Sequence, residues 1–274
     1  MTIQKPGFFK KPGFCRLSVL WNPRIIGITC LEKQTHMQFY FIRHGQSANN
    51  YLYETTGASE GRSEDPELTP VGRQQAEMVA RFLKQSDAAF AQSSLRQNLA
   101  GFGITYVYTS LMVRAVATAS IIARELNLPL VAWEELHEGG GIYLDDPETG
   151  EKVGQPGKNR AYFAAHYPNL ILPASFDDAG WWNRPVEEYP QIFPRAERFL
   201  SELLARHGGT EDRVAVVSHG GFYNVLLRTI FKIARDDVWF GINNAAITRI
   251  DFMPEEIGLA YLNRVDFLPK ELIT

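Results

Sequence analysis
An arginine and a histidine stand side by side at positions 43 and 44, followed by Gly45, Ser47 and Asn50. Arginine offers a planar fork to phosphoryl oxygens, and a neutral imidazole can attack phosphorus. Gly45 removes a side chain where a ligand would need close backbone approach. Ser47 and Asn50 can cap a helix or donate to an anion. A second His-Gly pair at His219-Gly220 and a further cation, Arg114, could converge on the same anion. Three carboxylates, Glu134, Glu135 and Glu138, sit just before Gly139-Gly140-Gly141 and are candidate proton donors. Thr56 and Gly57 follow the first group closely and either add hydroxyl and amide contacts or form a plain turn.

Strand ends would position these groups. Gln38 to Ile42 reads as a short buried strand that runs into Arg43. Ile104 to Tyr108 predicts a second strand, ending at Thr109-Ser110, with a helix after it through Arg124. If Ser110 caps that helix, Arg114 sits near its first turn, where the helix dipole disfavours a cation. A shared anion site is a better account of that arginine than a solvated surface. Leu128 to Trp133 predicts a third strand, leading into the glutamates. Arg213 to Ser218 is the near-continuous apolar run of a buried parallel strand, and it stops at His219. A helix over Phe222 to Phe231 follows. In open α/β sheets, ligands bind beyond the carboxyl ends of the strands.

The remaining segments are less informative. Asn50 to Leu68 reads as a polar loop, and Thr69-Pro70 predicts a helix start with Val71, Val79, Phe82 and Leu83 on its apolar face. Residues 85–101 predict a helical insertion. Ile142 to Pro190 reads as a cap over the strand ends, in which Trp181 and Trp182 pack and Arg184 could reach a substrate. A helix is predicted from Pro194 to Arg206-His207-Gly208-Gly209. This second Arg-His-Gly is ordinary C-terminal capping chemistry and receives no catalytic role. Ala246 to Phe252 and Leu259 to Val265 predict an antiparallel edge hairpin, with Asn243-Asn244 as turn residues.

Composition bounds the answer. The chain has 274 residues, a net charge of −3 and a pI near 6.1, which argues against a nucleic-acid partner. No apolar run reaches the roughly 18 residues of a membrane span. Cys15 and Cys30 make neither a disulfide framework nor a metal quartet, so reduced thiols and a cytoplasmic location are expected. Residues 1–36 stand apart. Five cations precede the first acid, Glu32, and prolines and glycines break any helix. A transit peptide would fit the charge but not the composition. A loosely attached extension, or a start assigned too early, fits better, leaving residues 37–274 as the domain.

Five motifs in order carry a resemblance: RHGQSANN at 43–50, LTPVGRQQA at 68–76, TSLMVRAVATA at 109–119, LHEG at 136–139 and VSHGG at 217–221. Together they resemble the histidine phosphatase superfamily, in its phosphoglycerate mutase-like branch. The resemblance implies a three-layer α/β/α sandwich with a mostly parallel central sheet and a cap inserted at about 139–190. It implies that His44 becomes phosphorylated, that Arg43, Arg114 and His219 hold the phosphoryl oxygens with Asn50 assisting, and that Glu138 supplies a proton. No metal or other cofactor is implied. Ser47, Thr56, Gly57 and Gly220 complete the expected phosphate-binding set. The expected activity is hydrolysis of a small phosphorylated substrate. The alternatives are a phosphoglycerate mutase and a silent phospho-ligand-binding module. Both histidines and both arginines are present, which argues against the silent module. Mutases resemble one another in an Arg and a Tyr just after the catalytic Glu, and in a Glu where this chain has Gln46. Gly139 to Gly141, with the acidic stretch after them, therefore favour hydrolysis. Substrate identity and oligomeric state are not legible.

Overall fold
A computed structural model describes residues 36–86, 97–174, 176, 178–234 and 237–274. The extension over residues 1–36, apart from His36, and most of the insertion expected at 85–101 lie outside the described residues.

Among the described residues, seven strands form the main sheet, in the order β6-β3-β2-β7-β1-β8-β9. They are β1 (Met37–Arg43), β2 (Tyr106–Thr109), β3 (Leu130–Ala132), β6 (Leu170–Ile171), β7 (Arg213–Ser218), β8 (Ile247–Phe252) and β9 (Ile257–Arg264). β1, β2, β3, β6 and β7 pair in parallel, while β8 and β9 form the expected antiparallel edge hairpin. A separate hairpin joins β4 (Tyr143–Asp145) to β5 (Lys152–Gly154). The helices are α1 (Ala48–Thr56), α2 (Pro70–Lys84), α3 (Val113–Leu126), α4 (Arg160–His166), α5 (Tyr189–His207) and α6 (Gly220–Phe231).

Successive side chains of a strand face opposite ways. In β1, Met37, Phe39 and Phe41 enter one core, with Val214 and Val216, Phe199 and Leu203 of α5, and Phe222 and Val225 of α6. Tyr40 and Ile42 enter the other core, with Ala215 and Val217, Val79 and Leu83 of α2, and Val116 and Ala119 of α3. Both faces of the central strands are thus apolar, as a three-layer α/β/α sandwich requires. Each large apolar side chain so buried contributes about 1.5–3 kcal/mol.

Several expectations need correction. Asn50 to Leu68 is not all loop: α1 occupies its first part, because Ser47 and Asn50 form a capping box. α5 begins five residues before Pro194, which lies inside it. Glu188 and Gln191 cap its start and Pro190 occupies its first turn. α3 begins after Met112 rather than at Ser110, whose Oγ accepts from Met112 N at 3.2 Å. The segment read as a cap is not purely a lid, since its β6 pairs with β3 at the edge of the main sheet. Trp181 and Trp182 pack into the α2–α3 core, as expected.

Candidate active site
Register brings the chemistry together. Arg43 pairs with Ser218, and Val217 pairs with Ile42 on one side and Thr109 on the other. His44, His219 and Ser110 are therefore the next residues on three adjacent parallel strands. Their rings and hydroxyl meet: His44 and His219 lie 5.0 Å apart between ring centroids, and His219 Nε2 is 2.9 Å from Ser110 Oγ. Helices α1, α3 and α6 all begin here, so three positive helix ends face one place.

His44 is buried, and its Nδ1 is 2.7 Å from Gly45 O. A carbonyl oxygen only accepts, so Nδ1 carries the proton and Nε2 carries the lone pair. Arg114 Nε donates to that Nε2 at 3.2 Å. Burial, then the charges of Arg114 and Arg43, hold the His44 imidazole well below its ordinary range. Burial and Arg114 do the same to His219, whose Nδ1 is buried without a protein partner. Both rings are thus neutral at pH 7. The arginines stay charged, because guanidinium titrates far above this range.

Arg43 Nη1 donates to Ile242 O at 2.6 Å, and its buried Nε has no partner. Arg114 is the second residue of α3 and lies 3.8 Å from the buried Asp65. Glu138 sits on the start of α6. Its Oε1 accepts from Gly139 N at 2.9 Å and Phe222 N at 2.8 Å, and its Oε2 from Gly221 N at 2.9 Å. Arg195 holds the strand of residues that leads to Glu138, donating to Glu135 O and His137 O while pairing with Glu187.

A cavity of 420 Å³ opens on these groups, lined by Arg43, His44, Ser47, Asn50, Arg114, Glu138 and Gly220 among others. Ser47 Oγ donates to Asn50 Oδ1. His219 is fully buried and is not itself among the residues that line the cavity, although its ring lies against that of His44, which is. Thr56 and Gly57 are not brought to this cavity. They end α1, where the Thr56 hydroxyl donates to Leu52 O and Gly57 is the left-handed cap. The close approach at Gly45 also proves different from a ligand contact. A Cβ there would lie 2.4 Å from Gly72 O, so the glycine admits α2. A larger cavity of 570 Å³, lined by Arg124, His166, Tyr167 and neighbours, lies elsewhere and gathers no comparable set of charges.

Sequence reasoning missed several residues. Asn244 lies in a turn, as read, but its role went unseen: it is buried and donates to His44 O at 3.0 Å and to Asn50 Oδ1 at 3.2 Å. Asp65, Arg62, Tyr143 and Trp239 went unnoticed. The Arg62 guanidinium lies 4.1 Å above the Tyr143 ring, and both line the cavity with the exposed Trp239. No local motif marks these positions. Arg206-His207 behaves as read: His207 bonds Asp212 at 2.8 Å and Tyr108 at 3.0 Å, with no place in the cavity.

A mostly parallel α/β sheet thus carries a buried, neutral imidazole and two guanidiniums at its strand ends. Residues 39–265 match the histidine phosphatase superfamily (branch 1), and the chain belongs to that family. It is 36% identical over 216 residues to 2,3-bisphosphoglycerate-dependent phosphoglycerate mutase 1 of Latilactobacillus sakei, covering 70% of this chain and 79% of that one. A Hydrogenobacter thermophilus protein with the provisional name phosphoserine phosphatase 2 is 26% identical over 235 residues, 82% of this chain and 95% of that one. In fold, the chain is similar to a mycobacterial glucosyl-3-phosphoglycerate phosphatase, with a TM-score of 0.52, 20% identity and coverage of 84% and 100%.

Proposed function
We propose that this protein hydrolyses a small phosphomonoester through a phosphohistidine on His44, without a metal. The observation that carries the reading is the state of His44. Its proton is committed to Gly45 O, so the Nε2 lone pair stands at the cavity beside Arg114. Nε2 attacks phosphorus as the ester P–O bond breaks. Arg43 and Arg114 spread over the phosphoryl oxygens, where transition-state charge gathers. The Ser110 hydroxyl can donate to His219 Nε2, which leaves Nδ1–H of His219 as a further donor. Glu138 gives its proton to the departing alkoxide. It then takes one from water, whose oxygen attacks phosphorus as the P–N bond breaks, restoring His44 and releasing phosphate. Three amides occupy two sites on Oε1 and one on Oε2, so Oε2 keeps a lone pair for that proton.

The glycines after Glu138 favour hydrolysis over mutase chemistry. Packing accounts for them: at Gly141 φ is +75°, and a Cβ would lie 2.0 Å from Trp182. They bring no cation, and Arg184 is engaged by Glu134 and Trp182. Gln46 carries no weight, because its side chain bonds Glu54 and Thr69 outside the cavity lining. The mutase reading keeps two supports, the Arg62 cation over Tyr143 and the Latilactobacillus relative.

A panel of phosphomonoesters, assayed for phosphate release, tests the proposal alongside interconversion of 3- and 2-phosphoglycerate with the bisphosphate primer. Phosphate release should dominate, and acid-free quenching should trap label on the wild type and none on His44→Ala. Primer-dependent isomerisation faster than every hydrolysis would overturn the choice, and an active His44→Ala variant would overturn the mechanism.

A further inference from the structure
Asp65 lies on the connection between α1 and α2, and its carboxylate side chain is fully buried. Oδ1 accepts from Val113 N, the first amide of α3, at 3.0 Å, and lies 3.8 Å from Arg114 Nη1. Oδ2 is buried with no donor. The other close partners of the Arg114 guanidinium are His44 Nε2 and Met112 Sδ at 3.2 Å, both neutral. Among the described residues, Asp65 is thus the anion ion-paired with this arginine. A buried guanidinium with no counter-ion would be costly.

We propose that Asp65 is a positioning residue that holds Arg114 in the empty site and yields it to the incoming oxyanion by taking a proton on Oδ2. Anion binding and proton uptake are then one linked event. The proposal rests on the oxyanion reading of the cavity given above.

A proton on Oδ2 breaks no hydrogen bond, and Oδ1 keeps its bond to Val113 N. A dianion on Arg114 replaces the lost counter-charge and repels an ionised Asp65. The surroundings leave Asp65 poised. Burial pushes it up to about 6, against the opposing pull of Arg114, the Val113 amide and Lys158, while Glu64 adds to the push. Tyr162 and Tyr167 face it with neutral phenols, the first pushed well above its ordinary range and the second up to about 12, burial being the main cause in each. Glu138 and Arg62 act on the Arg114 guanidinium itself. Asp65 is therefore ionised in the empty site at pH 7.5 and within reach of protonation. By linkage, an anion that favours the protonated form binds more tightly as pH falls.

Sulfate, doubly charged from pH 5 to 8, is a suitable probe of the intact protein. Calorimetry at pH 7 in two buffers of different ionisation enthalpy should show net proton uptake by the wild type. Asp65→Asn keeps an acceptor for Val113 N, so a purely structural role would leave binding unchanged. Instead this variant should take up fewer protons and bind sulfate at least about threefold more tightly at pH 7.5, with the two proteins converging at pH 5. In wild-type protein carrying labelled aspartate, the Asp65 carboxyl carbon should titrate at higher pH when sulfate is bound, which needs no variant. An unmoved Asp65 titration, equal proton uptake in both proteins, or weaker binding by Asp65→Asn at every pH would overturn the proposal. If linked sulfate binding appears but no ester is cleaved and no phosphohistidine forms, the hydrolase reading fails and the linkage stands.

Discussion
A single methyl group on Gly221 separates the work of Glu138 from the stability of the fold. A Cβ at Gly221 would stand 2.5 Å from Glu138 Oε1 and 3.0 Å from its carboxyl carbon. Gly221 is the second residue of α6, in ordinary helical backbone, so alanine there adds about 0.5–1 kcal/mol of helix preference. What must move is the end of a flexible side chain. The carboxylate leaves the amides of Gly221 and Phe222, at 2.9 and 2.8 Å. Hydrogen bonds to a charged group contribute about 1.5–3 kcal/mol each, but the cavity is open to water, which replaces most of that. The two effects nearly cancel, so the melting temperature should move by about 4 °C at most. Activity should not be spared. A positioned acid contributes about 10²–10⁴-fold, so kcat for an alkyl phosphate should fall about 100-fold. Nitrophenyl phosphate, whose leaving group departs without a proton, should lose less than about 10-fold. Calorimetry and phosphate release on both esters check this. Equal losses on the two esters, or no loss on either, would refute the placement of Glu138 as the acid.

Glu138→Gln should show the same preference for the better leaving group, while Glu134→Gln and Glu135→Gln stay close to wild type on both esters. Dialysis against EDTA should leave activity intact, and a loss that added Mg²⁺ or Zn²⁺ restores would contradict the charge roles given to Arg43 and Arg114. Gly72→Ala puts a Cβ 2.0 Å from the Gln46 carbonyl oxygen, backbone against backbone, and should cost about 1–3 kcal/mol or more in urea unfolding. Asp65 is raised from 3.8 to about 6 on folding, so the native state binds its proton more tightly than the unfolded chain. Its contribution to stability is therefore full below pH 4 and lost as pH rises towards 6, by about 3 kcal/mol in total. Asp65→Asn should lack that decline in paired denaturation curves.

The sequence exposes a group when its chemistry and its local pattern coincide. Arg213 to Ser218 runs apolar to its last residue and then stops at His219, and the strand is found there to the residue. Arg43 and Arg114 are cations placed where a buried strand or a helix dipole gives them no reason to be. Asp65, Asn244 and Arg195 carry no such mark. Each acts across the fold, on a residue 48, 200 or 58 positions away, and long-range pairing leaves no periodicity to read. The errors at element boundaries have local causes. Pro194 looks like a helix start because proline favours the first turn, yet Pro190 and the Glu188–Gln191 capping box claim that position earlier. Thr56 and Gly57 look like ligand contacts, yet they close α1.

One physical agent, burial, does two opposite jobs at the strand ends. It removes water from His44, Arg43 and Arg114 alike, and in each case it disfavours the charged form. Imidazole titrates near 6.5, so a penalty that lowers an arginine and still leaves it charged discharges His44 outright. The guanidiniums begin some six units higher and remain cations. A neutral imidazole and two fixed positive charges can therefore share one wall of the cavity. The arrangement has a cost, and among the described residues the carboxylates that offset the charge of Arg114 are Asp65 and Glu138. On the reading proposed above, a phosphoryl group bound at Arg114 takes over that neutralising role from the buried carboxylate of Asp65.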